Sequence, residues 1–449
     1  MAKAAAMARD KSCQIAQSRQ TYHAIIQKYA KIDKNILQKL NKHVIFHNKL
    51  RGIKMKEVTN MYDFDKVVDR RGTSSIKWNV QYDFGQKDGL LPFWIADTDF
   101  ASEPKILEAI QKRCDHPIIG YADPWESVYT SIQGWWERRH GWKAETDWML
   151  IGSGVVTSIY FNMQLLVPQG GKILAFTPVY DPFFAAIKNS GHELVTCPLI
   201  HEDNYFTIDY DKFEEELKNG VQAVMFCNPH NPIGRVWTEE ELKKLVDLCV
   251  KYDVYLLSDE VHADYAFERP YTTAGKFTEI YDKLIIYTAI SKSFNMAGLV
   301  SSCMIIPNPE LKKKIVADFE SRWMFGPCDL AFTAIEAAYT YGDTWMDEAC
   351  AYVKGNSEIV QKFAAEHMPK VQVTKHEGTF LMWQDMRCFR LSSGEITDIL
   401  AKEYGSALGD GSHYGEQADG FMRFNIGCAR ETLMKGLEQM AKMYAKYVK

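Results

Sequence analysis

Ser291-Lys292-Ser293-Phe294-Asn295 comes just after the apolar run Leu284-Ile285-Ile286-Tyr287-Thr288. A short, continuously apolar run of this kind reads as a strand buried on both faces. The pentapeptide therefore puts a lysine where a buried strand gives out into a turn of small and polar residues. Such a lysine can be held against a cofactor and used as a Schiff-base amine. Alone it carries little weight, because most lysines are solvated surface charges. Its meaning comes from two upstream segments, Asn228-Pro229-His230-Asn231-Pro232-Ile233-Gly234 and Ser258-Asp259-Glu260-Val261-His262.

Both segments follow the same kind of run, Ala223-Val224-Met225-Phe226-Cys227 and Tyr255-Leu256-Leu257-Ser258. Polar turns at the carboxyl ends of strands are where open α/β sheets bind ligands. Asn231 offers an amide for a phenolate oxygen, although an Asx-type turn is the competing reading. Asp259 offers a carboxylate to a cationic ring nitrogen, and helix capping competes there. Asn231, Asp259 and Lys292 stand 28 and 33 residues apart. Each interval is one strand–helix–strand step, so the three side chains are expected to converge on one crevice.

Composition sets the outer limits. Hydrophobic residues make up 46% of the 449 and charged residues 25%, as in an ordinary globular chain long enough for two or three domains. Ten cysteines are scattered singly without a CxxC pair, which points away from a metal site or a disulfide framework and towards a reducing cytoplasm. No apolar run approaches the length that crosses a bilayer. The net charge of −5 is uneven: the first sixty residues carry 13 Lys/Arg against 3 Asp/Glu, or +10, leaving −15 for the rest. A basic arm can mark nucleic-acid contact, but this one lacks aromatic interleaving or a binding module, so no nucleic-acid partner is expected. Interpretable signal begins at Met61, which reads as an alternative functional start.

From Met61 onward, strand-like runs alternate with amphipathic helices. The helix from Glu239 is marked by a capping box, Thr238 with Glu241. After about residue 345 the texture changes to a long helix, Trp345 to His367, then strands at 371–373 and 379–383. A helix from Gly394 to Tyr404, the strand Phe421-Met422-Arg423-Phe424-Asn425 and a helix from Glu431 follow. The expected organisation is a basic extension at 1–60, an N-terminal segment at 61–104 and a large α/β domain at 105–344. A smaller α+β domain covers 345–449.

Together the three motifs resemble those of the fold-type I pyridoxal-phosphate enzymes, the class I/II aminotransferase superfamily. The resemblance runs from about Tyr62 to Lys449. It implies a mostly parallel seven-stranded sheet between helices, a smaller α+β domain and pyridoxal 5′-phosphate as cofactor. It also implies roles for residues. Lys292 attaches the cofactor covalently, Asp259 pairs with the ring nitrogen and Asn231 contacts the phenolic oxygen. Tyr180, in Thr177-Pro178-Val179-Tyr180-Asp181-Pro182, stacks on the ring. Gly154, Val155 and Val156 at a helix N-terminus hold the phosphate with Ser291. Tyr121 reaches the phosphate of a neighbouring subunit, which makes the enzyme a homodimer with shared sites. Arg423 holds the α-carboxylate of a small amino-acid substrate, a pairing suited to a planar guanidinium. Ala96 lies on the substrate side.

Further segments resemble the cystathionine β-lyase, or C–S lyase, branch. They are Asp69-Arg70-Arg71-Gly72-Thr73-Ser74-Ser75-Ile76-Lys77-Trp78, Phe93-Trp94-Ile95-Ala96-Asp97-Thr98-Asp99-Phe100 and Lys292-Ser293-Phe294-Asn295. His262 stands where aminotransferases usually carry tyrosine, and Val300 where they often carry a phosphate-binding arginine. The implied reaction is β-elimination: Lys292 takes the Cα proton, thiolate leaves Cβ, and the products are a thiol such as homocysteine, pyruvate and ammonia. The rivals are a transaminase of aromatic or neutral amino acids and a regulatory, protein-binding role.

Overall fold

The computed structural model describes residues 61–79, 89–324 and 326–448. The basic arm expected at 1–60, with Cys13 in it, lies outside the described residues. The strands are β1 (Leu91–Phe93), β2 (Met149–Gly152), β3 (Lys172–Thr177), β4 (Glu193–Pro198), β5 (Ile200–Glu202), β6 (Tyr205–Thr207) and β7 (Val221–Cys227). They continue as β8 (Tyr255–Asp259), β9 (Leu284–Thr288), β10 (Ser302–Ile305), β11 (Gln372–Val373), β12 (Leu381–Asp385), β13 (Ser406–Asp410) and β14 (Phe421–Asn425).

Seven strands form one sheet in the order β2-β10-β9-β8-β7-β3-β4. All run parallel except β10, which is antiparallel to both neighbours. Their side chains alternate between two separate apolar cores. Leu174, Phe176, Val224, Phe226, Leu284 and Ile286 enter one. Ile173, Ala175, Ala223, Met225, Ile285 and Tyr287 enter the other. That division is why the runs read as continuously apolar: helices cover both faces. Each large side chain so buried contributes about 1.5–3 kcal/mol, which lets the sheet carry costly polar groups at its ends.

A five-stranded sheet follows the order β1-β13-β14-β12-β11. β1 pairs parallel with β13, so the segment near residue 91 joins strands more than 300 residues later. Trp383 and Gly409 flank Arg423 across β14.

The expected helices and strands are present, with shifted ends. The capping box of Thr238 and Glu241 forms at the helix Glu239–Lys251. β12 begins at Leu381 rather than Thr379, because Thr379 has φ 66° and its hydroxyl turns back on the Leu381 backbone. The helix expected over Gly394 to Tyr404 is α-helical only for Ser393–Ile399 and widens into a π-turn over Leu400–Tyr404.

Candidate active site

Cys227, Asp259 and Tyr287 are level across β7, β8 and β9. Asn231 lies four residues past that line, in the turn after β7. Lys292 lies five past it, in the one-turn helix Ile290–Ser293. The parallel register thus brings the three sequence candidates to one edge of the sheet.

Asp259 is 4% exposed. One carboxylate oxygen accepts the Val261 N–H at 3.1 Å. Burial pushes its carboxyl up to about 7, against the pull of that hydrogen bond and of Lys292. Lys292 Nζ donates to the Ala96 carbonyl at 2.6 Å. Burial, and then Arg423, bring this amine down to about 8, while Asp97 and Asp259 oppose the fall. A lysine so placed holds a usable neutral fraction near physiological pH.

Arg423 reaches the same space from the other sheet. Its Nη1 donates to Asn231 Oδ1 at 3.1 Å and its Nη2 to the Trp94 carbonyl at 2.6 Å. The guanidinium lies 5.0 Å from the Tyr414 ring centre. Its Nε is buried with no partner among the described residues, and none of their carboxylates pairs with it. A buried guanidinium left without an acid is a costly arrangement unless an anion arrives to use it.

The chain from Trp94 to Thr98 runs through the site as a strap whose five carbonyls are each taken by a side chain. Trp94 O accepts from Arg423 and Ala96 O from Lys292. Asn425 Nδ2 reaches Ile95 O at 2.6 Å and Asp97 O at 2.7 Å. Asn295 Nδ2 reaches Thr98 O at 2.9 Å. Behind the strap, Arg70 pairs with Asp97 at 2.7 Å and with Asp99 at 2.8 Å. Lys77, 1% exposed, pairs with Asp99 at 2.9 Å. Trp78 donates its indole N–H to the same carboxylate. The stretch from Asp69 to Trp78 thus fastens the strap and does not face the reacting groups through these contacts.

Gly154 has φ 88° and opens the helix Val155–Leu166. A Cβ there would be strained by the backbone and would lie 3.4 Å from Val300 Cγ1. Val300 itself has φ 48° and is exposed. Beside this turn it brings a methyl rather than a cation. Ser291 and Tyr180 are half-buried. Burial pushes the Tyr180 phenol up to about 12. His262 is 2% exposed, edge-on to Phe380, and held well below its ordinary pKa by burial, Lys292 and Arg423. Tyr121 is the one candidate not brought in: it is fully exposed. Trp383, across β14 from Arg423, is core and stacks on Phe421.

Residues 101–440 match the family model described as aminotransferase class I and II. The chain belongs to this family. It is 35% identical over 382 residues to a cystathionine beta-lyase of Bacillus subtilis, covering 84% of this chain and 98% of that one. Two solved structures are similar. Cystalysin from Treponema denticola, which contains a pyridoxal 5′-phosphate cofactor, is 30% identical with a TM-score of 0.83, covering 86% of this chain and 99% of that one. The pyridoxal-phosphate-bound C–S lyase from Staphylococcus hominis, in complex with L-cycloserine, is 29% identical with a TM-score of 0.80, covering 86% and 100%.

For this member of the class I and II family, sequence reasoning missed several contributors. Tyr414 supports the guanidinium of Arg423. Asn295, at φ 59°, and Asn425 hold the strap. Asp264 is buried and accepts from Ser293, the residue after Lys292, from Trp135 at 2.9 Å and from His140 at 3.0 Å. Its position five residues past Asp259 was the only available signal. Arg430, by contrast, is structural, over the Tyr352 ring and against Asp65.

Proposed function

We propose that this protein cleaves the Cβ–S bond of L-cysteine thioethers, L-cystathionine among them, by β-elimination with pyridoxal 5′-phosphate. The observation that carries this reading is the match to a cystathionine beta-lyase over 98% of that protein's length. The residues fit the cofactor: a buried carboxylate at Asp259, a glycine-opened helix N-terminus at Gly154 and a half-buried lysine at the same edge of the sheet.

When bound, pyridoxal phosphate supplies an electron sink for the substrate's α-carbon. Lys292 would hold it covalently, and Asp259 would face its ring nitrogen. A cation there also offsets the cost of burying an ionised Asp259. Asn231 would donate its amide to the phenolic oxygen, with its Oδ1 already turned to Arg423. Gly154, Val155 and Val156 would meet the phosphate with N–H groups and the helix dipole, aided by Ser291. Tyr180 would lie on the ring, with His262 as its buried neutral neighbour.

Arg423 would hold the substrate α-carboxylate bidentately, replacing the bond it makes to Trp94. Lys292 Nζ, neutral in part, takes the Cα proton and holds it. Loss of thiolate from Cβ and hydrolysis then give homocysteine, pyruvate and ammonia from cystathionine and water. Ala96, whose carbonyl bonds Lys292 Nζ, keeps the amine beside the substrate.

Tyr121, with the exposed Ile118 and Ile119, supports a homodimer in which Tyr121 serves the neighbouring site. We also infer two lobes, 105–344 and 345–449, with 61–104 contributing to the second and to the active site. The described cysteines are all free, in keeping with a reducing, cytoplasmic setting. No helix among the described residues is long and apolar enough to cross a membrane.

Holoenzyme given L-cystathionine alone is expected to release pyruvate and thiol. Consumption that occurs only after a keto acid is added, with no pyruvate, would sink the lyase reading in favour of transamination. Arg423→Met is expected to lower kcat/KM by roughly a hundredfold or more, as for the loss of a buried charge partner. Its unfolding midpoint should change little, because Arg423 makes no ion pair among the described residues and a buried guanidinium is itself costly. A lower midpoint with unchanged kcat/KM would make Arg423 structural.

A further inference from the structure

Asp181 is the unexplained charge of this site. It precedes the helix Pro182–Asn189, where an aspartate ordinarily caps. Here its backbone is already helical, φ −57° and ψ −33°, and its side chain makes no capping bond. The half-buried carboxylate meets its own main-chain N–H and joins no ion pair among the described residues.

Its surroundings are those of Arg423. The turn that carries Tyr180 and Asp181 is fastened to the turn 411–414: the Val179 N–H donates to Tyr414 O at 3.0 Å. Gln417 Nε2 adds a bond to Thr177 Oγ1 at 2.7 Å. The Tyr414 ring in turn lies against the Arg423 guanidinium. Asp181 therefore stands beside the carboxylate-binding arginine without touching it, within electrostatic reach of Arg423 and of His413. Burial raises its carboxyl, opposed first by Arg423 and then by its own main-chain N–H and by His413. A half-buried acid near an arginine it does not pair with is suited to a cation that arrives with the substrate.

We propose that Asp181 binds the distal ammonium group of a two-ended amino-acid thioether while Arg423 holds the carboxylate at the reacting end. This rests on the C–S lyase reading above and names its substrate class: thioethers with an ammonium group at the far end, such as L-cystathionine, over plain S-alkyl cysteines. Specificity arises because a substrate without the far cation leaves the carboxylate half-buried and unpaired.

The test compares pyruvate release from S-(2-aminoethyl)-L-cysteine, S-ethyl-L-cysteine and S-(2-carboxyethyl)-L-cysteine by holoenzyme. Wild type is expected to favour the aminoethyl substrate over the carboxyethyl one by tenfold or more in kcat/KM. Asp181→Asn should reduce that ratio roughly ten- to hundredfold, the scale of a hydrogen bond to a charged group. Wild-type rates that are equal across the three substrates would overturn the assignment, and this needs no variant to fold. A variant that loses activity on all three alike, with its ratio intact, would overturn it too, leaving Asp181 only as a charge balance for Arg423. Absence of pyruvate from every substrate would remove the lyase reading and this proposal with it.

Discussion

Lys292→Ala is expected to leave a folded chain that releases no measurable pyruvate from L-cystathionine. Loss of a positioned base alone costs roughly 10²–10⁴-fold, and here the same amine is also the proposed covalent tether. The variant should bind pyridoxal phosphate without the visible band of a lysine-linked cofactor. Survival of that band in purified protein would refute the assignment. A second measurement uses cofactor-free wild type. Its rate of capturing pyridoxal phosphate should rise with pH through about 8, where Lys292 loses its proton, rather than near the ordinary lysine value of 10.5. A profile still climbing towards 10.5 would mean the amine is solvated.

Asp259→Asn should retain cofactor yet lose roughly a hundredfold or more in kcat, the scale of a preorganised electrostatic group in a dry site. Its effect on stability should have the opposite sign. In the cofactor-free protein the carboxyl is raised from 3.8 to about 7 by burial. Folding therefore favours the protonated acid. Stability is lost as pH rises from 3.8 towards 7, and the whole cost is present above 7. The cofactor-free variant should melt higher than wild type at pH 8, and the gain should vanish at low pH. Wild-type turnover in this variant would end the proposed role of Asp259. A lower melting point at pH 8 would show that its bond to Val261 and the attraction of Lys292 outweigh burial.

The sheet was readable because its strands are buried on both faces, so Val224-Met225-Phe226 and Leu284-Ile285-Ile286 needed no periodicity to be found. Asn231, Asp259 and Lys292 were readable because a parallel register turns equal spacing into proximity. β10 and β13 were not, since Ser302–Ile305 is short and Ser406–Asp410 is mostly small and polar. The strap was invisible for a different reason: its working atoms at Trp94 and Ala96 are carbonyls, which every residue has. Asp181 stands where a helix-start aspartate ordinarily caps, and only the structure shows that its side chain makes no capping bond. Tyr121 needs a second chain to be given a destination.

The strap also bears on how the protein matures. Its carbonyls are gripped by side chains 196 residues away at Lys292 and about 330 away at Arg423 and Asn425. Contacts so distant along the chain carry a large loop-closure cost, and those of Arg423 and Asn425 cannot form before the C-terminal strand exists. A chain emerging from the ribosome has its lysine turn and the Asp259 edge long before it has Arg423. Chemical competence is thus withheld from every unfinished or C-terminally clipped product, and arrives only with the last strand.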